Sequence, residues 1–269
     1  MALGVILKRS FAIRVDVDTV KGLVDGVPPL LEILDDFDVR ATFFASVGTD
    51  TASRSVFTSF RGKRHLSVNP LQKYGAREIL GSLRGLDFSI HADKYRKILE
   101  LGHEVQLHCF NHLEWVQKIG GADQGVARLL IEQGISAFEV IFGRAPRAFA
   151  SPGFQVTDAV LDAEEELGFN YASDYRREGD CAPFRNGRSV LQIPVNAPLI
   201  EDLVVRGFSD EAIESAVCNL IAGNSLTVMY LHPSYEPRMK SELLRSIIGR
   251  ARESSDSFTL GEVFEKWNP

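Results

Sequence analysis

Two carboxylates lie two residues apart in a segment that alternates between apolar and polar residues. In FAIRVDVD, residues 11–18, Asp16 and Asp18 share the polar face, so in a strand their side chains point the same way. On its own, such a pair is more typical of a solvated strand face than of catalysis. Its place at the carboxyl end of the first strand of an α/β series favours a functional site, because such folds build their sites there.

Two histidines four residues apart form a second feature. His108 and His112 follow a predicted strand in the segment HCFNH, and a single helical turn there would place both imidazoles on one side. Two surface or core histidines explain this spacing equally well. Two imidazoles and one carboxylate are, however, a known ligand set for a catalytic metal with open positions, found in zinc hydrolases and iron oxygenases.

Three further polar residues, Ser151, Asp174 and His232, follow other predicted strands. A lone polar residue at a strand end has ordinary explanations, and for Asp174 a turn is one of them. Together with the aspartate pair and His108, these residues come from five separate parts of the chain. In a closed or nearly closed barrel the carboxyl ends of the strands converge on one mouth, so the sequence predicts a single polar site there.

The elements that would position these residues alternate between strands and helices. Strands are predicted over residues 11–18, 39–47, 103–107, 147–150, 169–172, 190–193 and 226–231, and helices over residues 27–37, 92–101, 123–142, 157–167, 209–222, 240–252 and 261–267. This alternation indicates parallel βαβ units, and their number predicts an α/β fold with a distorted or incomplete barrel. An insertion at about residues 50–91 interrupts a single domain that spans residues 1–269.

The composition limits the classes of function. A chain of 269 residues with a net charge of −6 fits one large domain and gives no reason to expect a nucleic-acid partner. Its three cysteines include no CxxC pair, so neither a disulfide framework nor a cysteine zinc site is indicated. Lys8 and Arg9 follow the first apolar run, whereas a signal peptide carries basic residues before it, so we expect a cytoplasmic protein.

Six short motifs occur in an order typical of one enzyme family. They are RVDVDT (14–19), ATFF (41–44), GHEVQLHCFNH (102–112), FASPGF (149–154), YASD (171–174) and YLH (230–232). Together they resemble the ordered motifs of the polysaccharide deacetylases, which include chitooligosaccharide, chitin and peptidoglycan deacetylases. Within the family the sequence is most similar to deformylases of undecaprenyl-phosphate-linked 4-deoxy-4-formamido-arabinose. It shares with them RVDVDTVKGLVDGVPPLLEIL (14–34), YGAREIL (74–80) in the insertion, SDYR (173–176) and APFR (182–185).

The resemblance implies a metal-dependent hydrolase that removes an N-formyl or N-acetyl group from an amino sugar. It implies that Asp18, His108 and His112 hold one divalent metal ion, with zinc the first choice and manganese, cobalt or nickel the alternatives. It makes Asp16 the general base and His232 the general acid. A divalent ion with such ligands keeps enough charge to lower the pKa of a bound water from 15.7 to about 7.

The motifs also imply positions near the substrate. Asp174 is expected near His232, and the residues expected to bind substrate are Ser151, Pro152, Gly153, Arg176 and Arg185. Many relatives carry an arginine that restrains the base aspartate at the position of Ala150. The sequence therefore does not show which residue orients Asp16.

Three other interpretations use the same residues. A peptidoglycan or chitin-type deacetylase shares this machinery but normally requires an export signal. A non-haem iron oxygenase uses the same ligand types, although its ligands usually occur as HxD followed by a distant histidine. A non-catalytic module that binds lipid-linked sugars is disfavoured, because the proposed proton-transfer residues Asp16 and His232 are both present.

The insertion differs in charge from the rest of the chain. Between residues 51 and 91 it carries seven basic residues and two acidic ones, with Phe57, Phe60 and Leu66 interleaved with the densest basic run. This mixture is typical of an element that lies at an anionic membrane surface. A solvated lid over the barrel mouth is the alternative, since long loops over active sites are common.

Overall fold

Parallel strands connected by helices form the part of the chain that the computed structural model describes, residues 9–51 and 85–268. The strands are β1 Ser10–Val17, β2 Thr42–Ser46, β3 Thr49–Asp50, β4 Leu86–Asp87, β5 Glu104–Cys109, β6 Ala148–Phe149, β7 Tyr171–Ala172, β8 Phe184–Arg185, β9 Leu191–Gln192, β10 Leu226–Leu231 and β11 Asp256–Phe258. The α-helices are α1 Val27–Asp36, α2 Ala92–Glu100, α3 His112–Lys118, α4 Gln124–Phe142, α5 Asp158–Glu166, α6 Ile200–Val205, α7 Asp210–Gly223, α8 Glu236–Met239, α9 Ser241–Ser254 and α10 Leu260–Trp267.

The main sheet curls into an incomplete barrel. Its strand order is β10-β1-β2-β5-β6-β7-β9-β8, with β11 beside the start of β1, and every pairing is parallel except β8 with β9. The backbone N–H groups of Asn196 and Ala197, which follow β9, donate to the carbonyl of Val228 in β10 at 3.3 and 3.2 Å. The two ends of the sheet, at β10 and at β9, meet at a seam. These isolated hydrogen bonds, rather than a regular ladder, connect the two sides of that seam. The predicted α/β fold with a distorted or incomplete barrel is confirmed.

Burial on both faces of β1 explains why its polar residues are functional candidates. All eight residues of the strand are buried. Phe11 and Val15 belong to the large apolar core, whereas Ala12 belongs to the smaller apolar cluster that includes Phe44 from β2. The polar side chains therefore lie in the interior of the protein rather than on a solvated face. A buried charge is costly unless it is paired, so Asp16 requires partners.

Local signals predicted several element boundaries well. The predicted strand over residues 226–231 coincides with β10. The long helix α4 begins after Asp123, whose side chain accepts a hydrogen bond from Val126 N, and ends at Gly143 with φ of 67°. Glycine favours this left-handed conformation at a helix end.

The two ends of the insertion lie side by side. Strand β3 pairs antiparallel with β4, and the Asp50 carboxylate accepts a hydrogen bond from Val20 N at 2.8 Å, close to the carboxyl end of β1. Residues 52–84, which hold all seven basic residues of the insertion, lie outside the described residues, so the membrane-contact prediction stays a prediction. Among the described residues, no helix is both long and apolar enough to cross a membrane.

His103, directly before β5, is expected to make a contribution to the free energy of unfolding that is lost in acid. Burial, with a smaller contribution from Arg40, lowers its pKa to about 4, and its Nδ1 accepts a hydrogen bond from Ala41 N at 3.2 Å. Below the ordinary histidine pKa the unfolded chain binds a proton that the folded chain does not. This contribution is therefore complete above about pH 6.5 and decreases as the pH falls towards 4.

The measurement is urea unfolding of the metal-free wild type and His103→Asn at two pH values. Between about pH 7.5 and pH 5 the wild type should lose about 2 kcal/mol more unfolding free energy than the variant. Equal losses in the two proteins would contradict this account.

Candidate metal centre and active site

Three potential metal ligands meet at the carboxyl ends of β1 and β5. Asp18 follows β1 directly, and its Oδ1 lies 3.2 Å from Nε2 of His108. Its Oδ2 lies 3.8 Å from Nε2 of His112. One ligand atom from each residue lies within 4.8 Å of the others, a spacing that could hold a metal ion. The structure thus brings together the three residues expected to form the metal triad.

A strand end and a helix start position the two histidines. His108 lies inside β5, and His112 is the first residue of α3, whose N-cap Asn111 accepts a hydrogen bond from Glu114 N at 2.9 Å. The two imidazoles lie near each other as predicted, with ring centroids 5.6 Å apart, but the predicted single helical turn was wrong, because a strand end and a helix start bring them together. The strand extends two residues beyond its predicted end, because the polar residues in HCFNH do not continue the apolar pattern from which the strand was predicted.

The atoms that face one another in the triad fit a cation. Nδ1 of His108 lies 2.6 Å from the Ala150 carbonyl, which only accepts, so Nδ1 carries the proton and Nε2 is an acceptor. That Nε2 faces Asp18 Oδ1, and neither buried atom has a hydrogen-bond partner among the described residues. Two buried acceptors at 3.2 Å repel each other unless a positive charge lies between them. The residues present therefore fit a divalent metal ion.

The ionisation of the triad also suits metal binding. Burial opposes ionisation of Asp18, but the imidazoles of His112, His108 and His232 outweigh it and hold the pKa of this carboxyl well below its usual range. Burial lowers the pKa of His112. An ionised carboxylate and a neutral imidazole are the forms that bind metal.

Arg14 orients Asp16. Its Nε and Nη2 donate to Oδ1 and Oδ2 of Asp16 at 2.8 and 2.6 Å, and both side chains are buried. Its Nη1 donates to the Ser173 carbonyl, and the guanidinium lies over the rings of Phe154 and Tyr230 at 4.5 and 5.3 Å. A sequence signal existed, because Arg14 and Asp16 share the polar face of β1.

Arg14→Lys is expected to lower turnover of the folded, metal-loaded enzyme by about 100-fold, because a lysine cannot hold the Asp16 carboxylate at two points. The measurement is kcat per bound metal ion. A matched control is Arg188→Lys, which alters a surface pair with Asp158 and Asp162. Comparable kcat values for Arg14→Lys and the control would show that Arg14 does not position the base.

His232 lies between the metal cluster and a buried glutamate. Its Nε2 is 2.6 Å from the Tyr230 hydroxyl and 3.4 Å from Asp18 Oδ2, and its Nδ1 is 3.4 Å from Glu201 Oε2. Its backbone N–H donates to Glu236 at 2.8 Å, and burial raises the pKa of Glu236 to about 7. Neither glutamate was expected from the sequence, because neither directly follows a predicted strand.

Asp174 lies beside Ser151 and Glu164. Its Oδ1 accepts a hydrogen bond from Ser151 N at 2.7 Å. Burial and the adjacent Asp174 raise the pKa of Glu164 well above its ordinary value. A protonated Glu164 can then donate to Asp174. The carboxylate at Nδ1 of His232 is Glu201.

The predicted substrate-binding residues divide into two groups. A short 3-10 turn over Pro152–Phe154 follows Ser151, with Gly153 at φ of 61°. Arg176 lies 5.7 Å from the Phe154 ring and so belongs to the same region. The structure does not bring Arg185 to this site. Its exposed guanidinium donates to Asn268, which directly follows α10. The start of α10 binds Thr42 and Glu104 at the amino ends of β2 and β5, whereas the candidate site lies at the carboxyl ends of the strands.

Comparison with known proteins places this site in a family. The polysaccharide deacetylase family profile matches residues 8–172, more than half of the chain. The chain belongs to the polysaccharide deacetylase family. The family assignment agrees with the order of the motifs and with the curled sheet, and it makes the chain a member of a family of hydrolases.

Two curated relatives carry the same name, probable 4-deoxy-4-formamido-L-arabinose-phosphoundecaprenol deformylase ArnD. The relative from Shewanella sediminis (strain HAW-EB3) is 30% identical over 256 residues, 91% of this chain and 82% of that protein. The relative from Wigglesworthia glossinidia brevipalpis is 28% identical over 187 residues, 66% of this chain and 65% of that protein. Among solved structures, a probable polysaccharide deacetylase from Pseudomonas aeruginosa PAO1 superposes with a TM-score of 0.69 at 14% identity, covering 97% of this chain and 91% of the other.

Proposed function

We propose that this polysaccharide deacetylase removes the N-formyl group from a lipid-linked formamido-sugar of the undecaprenyl-phosphate 4-deoxy-4-formamido-arabinose type. The placement of Asp16 and His232 beside the Asp18–His108–His112 cluster carries this proposal. Oδ2 of Asp16 lies 3.7 Å from His108 Nε2, and His232 Nε2 lies 3.4 Å from Asp18 Oδ2. The names of the curated relatives support the choice of substrate.

Asp18, His108 and His112 would hold one divalent ion. Zinc is our first choice, and manganese, cobalt and nickel are alternatives, because imidazole and carboxylate ligands suit all four. A bound divalent ion supplies Lewis-acid chemistry, in which a carbonyl is polarised and a water is made more acidic. The rest of the chemistry falls to side chains.

Asp16 and His232 divide the proton transfers. Asp16 takes the proton from the water that attacks the formamide carbon, while Arg14 keeps its carboxylate facing the cluster. His232 gives a proton to the sugar nitrogen as the carbon–nitrogen bond breaks, because an amine leaves poorly as an anion. Glu201 lies at Nδ1 of His232, the ring nitrogen that does not face Asp18. The products are formate and the free amino sugar: the released formic acid loses its proton to solvent, and the proton on Asp16 is passed through solvent to His232, which restores both groups.

A formate assay tests the acyl group. The zinc-loaded protein is incubated with the formamido and acetamido forms of the same undecaprenyl-phosphate-linked sugar, and released formate and acetate are measured. We expect formate release at the higher kcat/KM. Acetate release at an equal or higher kcat/KM would favour the chitin- or peptidoglycan-type deacetylase instead.

We also propose a cytoplasmic protein that contacts the anionic face of the inner membrane through its insertion. The seven basic residues between residues 51 and 91 support this, since each contributes about 1 kcal/mol near an anionic surface. The variant Arg61→Glu, Lys63→Glu, Arg64→Glu should lose binding to phosphatidylglycerol vesicles in sedimentation. A matched control reverses three arginines of α9, Arg245, Arg250 and Arg252. Equal vesicle binding by both triple variants, or none by the wild type at low salt, would refute the contact.

A further inference from the structure

A cavity of about 680 Å³ lies on the side of the barrel, beside the seam between β9 and β10. Its charged lining consists of three arginines, Arg176, Arg177 and Arg206, and two carboxylates, Glu178 and Asp202, so the positive charges outnumber the negative ones. Arg177 stacks on Phe184 at 3.6 Å, and Arg206 has no ion-pair partner among residues 9–51 and 85–268. Arginine presents several N–H donors in a geometry that matches phosphate oxygens. The polar part of the cavity is therefore suited to a phosphate.

Part of the cavity wall is apolar. Val195 follows β9, Leu199 and Leu203 come from the start and middle of the α6 region, and Leu220 comes from α7. Val195 and Leu199 are buried, whereas Leu203 and Leu220 are partly exposed towards the opening. Arginines and an apolar wall in one cavity match an amphiphile, a molecule with a phosphate joined to a hydrocarbon chain.

The cavity adjoins the active site on the side of His232. Leu199 and Asp202, both in its wall, flank Glu201 in the sequence, and the Glu201 carboxylate lies 3.4 Å from His232 Nδ1. Arg176 stacks on Phe154, whose ring is 5.1 Å from that of Tyr230. Arg176 therefore connects the cavity to the catalytic cluster through the Phe154 ring.

Exposed apolar side chains lie close to Arg206 in the sequence. Val205 and Phe208 are 49% and 52% exposed, which is high for residues of their size. Lys240 pairs with Asp210 at 2.7 Å, and this brings the exposed Met239 close to the same segment. The segment that follows Leu203 and Arg206 of the cavity wall thus exposes apolar side chains that a hydrocarbon chain can contact.

We propose that this cavity binds the phosphate and the first isoprenoid units of the lipid carrier. The inference rests on the proposed function, because it assigns to this cavity the lipid part of the proposed substrate, whereas the catalytic cluster binds the formamide. The partly exposed Arg176 forms a long ion pair with Asp202, at 3.6 Å, and such pairs contribute little. Arg176 can therefore turn to the phosphate, while the apolar wall holds the chain.

Binding of farnesyl phosphate to the zinc-loaded full chain, measured by calorimetry in detergent-free buffer below the critical micelle concentration, tests the proposal. Arg177→Gln and Arg206→Gln should each weaken binding by about tenfold, since a charge-assisted hydrogen bond contributes roughly 1.4 kcal/mol or more. Arg96→Gln, on the exposed face of α2, is the matched control and should bind like the wild type. Farnesol and inorganic phosphate should each bind at least about tenfold more weakly than farnesyl phosphate.

Three results would overturn the assignment. They are no binding of farnesyl phosphate by the wild type, unchanged affinity in both cavity variants, and inorganic phosphate binding as tightly as farnesyl phosphate. The last would indicate a site for free phosphate. Because farnesyl phosphate carries no formyl group, the test is independent of turnover. A protein that binds it through the cavity but releases no formate would refute the proposed reaction and not the lipid subsite.

Discussion

Replacing Asp18 or His112 with alanine is expected to abolish stoichiometric metal binding and, with it, hydrolysis. The wild type should bind one divalent ion per chain, because the cluster has three ligands and leaves open positions for water and substrate. Losing a direct ligand should cost more than the 10- to 100-fold in affinity that is typical of losing an outer partner. Elemental analysis after dialysis, together with titration of the metal-free protein, measures the effect.

The control for these variants is a histidine that lies outside the cluster. His103→Asn should keep one ion per chain, since His103 lies at the amino end of β5 and binds Ala41. Circular dichroism should show that both alanine variants remain folded. In Asp18→Ala, the substitution removes the repulsion between Asp18 Oδ1 and His108 Nε2, two acceptors that face each other without a hydrogen-bond partner among the described residues. Unchanged metal content in Asp18→Ala would show that the cluster is not the metal site.

Asp16→Asn and His232→Ala are expected to bind metal and yet lose about 10²- to 10⁴-fold in kcat each, the usual contribution of a general base or acid. Neither residue belongs to the proposed triad, so metal content should stay at one ion per chain. Both variants should show little change in KM if the lost interactions belong to the transition state. Steady-state kinetics on the lipid-linked formamido-sugar provide the test.

The structure adds a stability consequence for Asp16→Asn. The asparagine leaves Arg14 buried beside a neutral partner, and breaking a buried ion pair typically costs 3–5 kcal/mol. Activity must therefore be normalised to the folded, metal-loaded fraction. Arg14→Met combined with Asp16→Asn removes the unpaired charge and should recover stability but not turnover. A near-normal kcat in either single variant, Asp16→Asn or His232→Ala, would show that the proton-transfer assignment is wrong.

Much of the fold was accessible from sequence because its signals are local. The apolar run over residues 226–231 and the alternation before Asp18 mark β10 and β1, and Gly143 marks the end of α4. The rule that parallel strands converge at their carboxyl ends then placed Asp18, His108 and His232 together.

What the sequence did not show depends on the curvature of the sheet and on side-chain contacts between distant segments. Arg14 was visible on the same face as Asp16, but only burial of that face makes the pairing necessary. Glu201 reaches His232 from a six-residue helix that has no distinct periodic pattern. Arg185 lies at the opposite end of the barrel because β8 runs antiparallel to β9, which reverses the direction of that segment.

Mass spectrometry of undecaprenyl-phosphate-linked 4-deoxy-4-formamido-arabinose after incubation with the protein tests the central claim most directly. The zinc-loaded wild type should convert the lipid to its free-amine form, and the metal-free wild type and Asp18→Ala should leave it formylated. Restoring zinc should restore conversion in the wild type alone. An unchanged formylated lipid with the fully zinc-loaded wild type, or equal conversion by Asp18→Ala, would contradict the account.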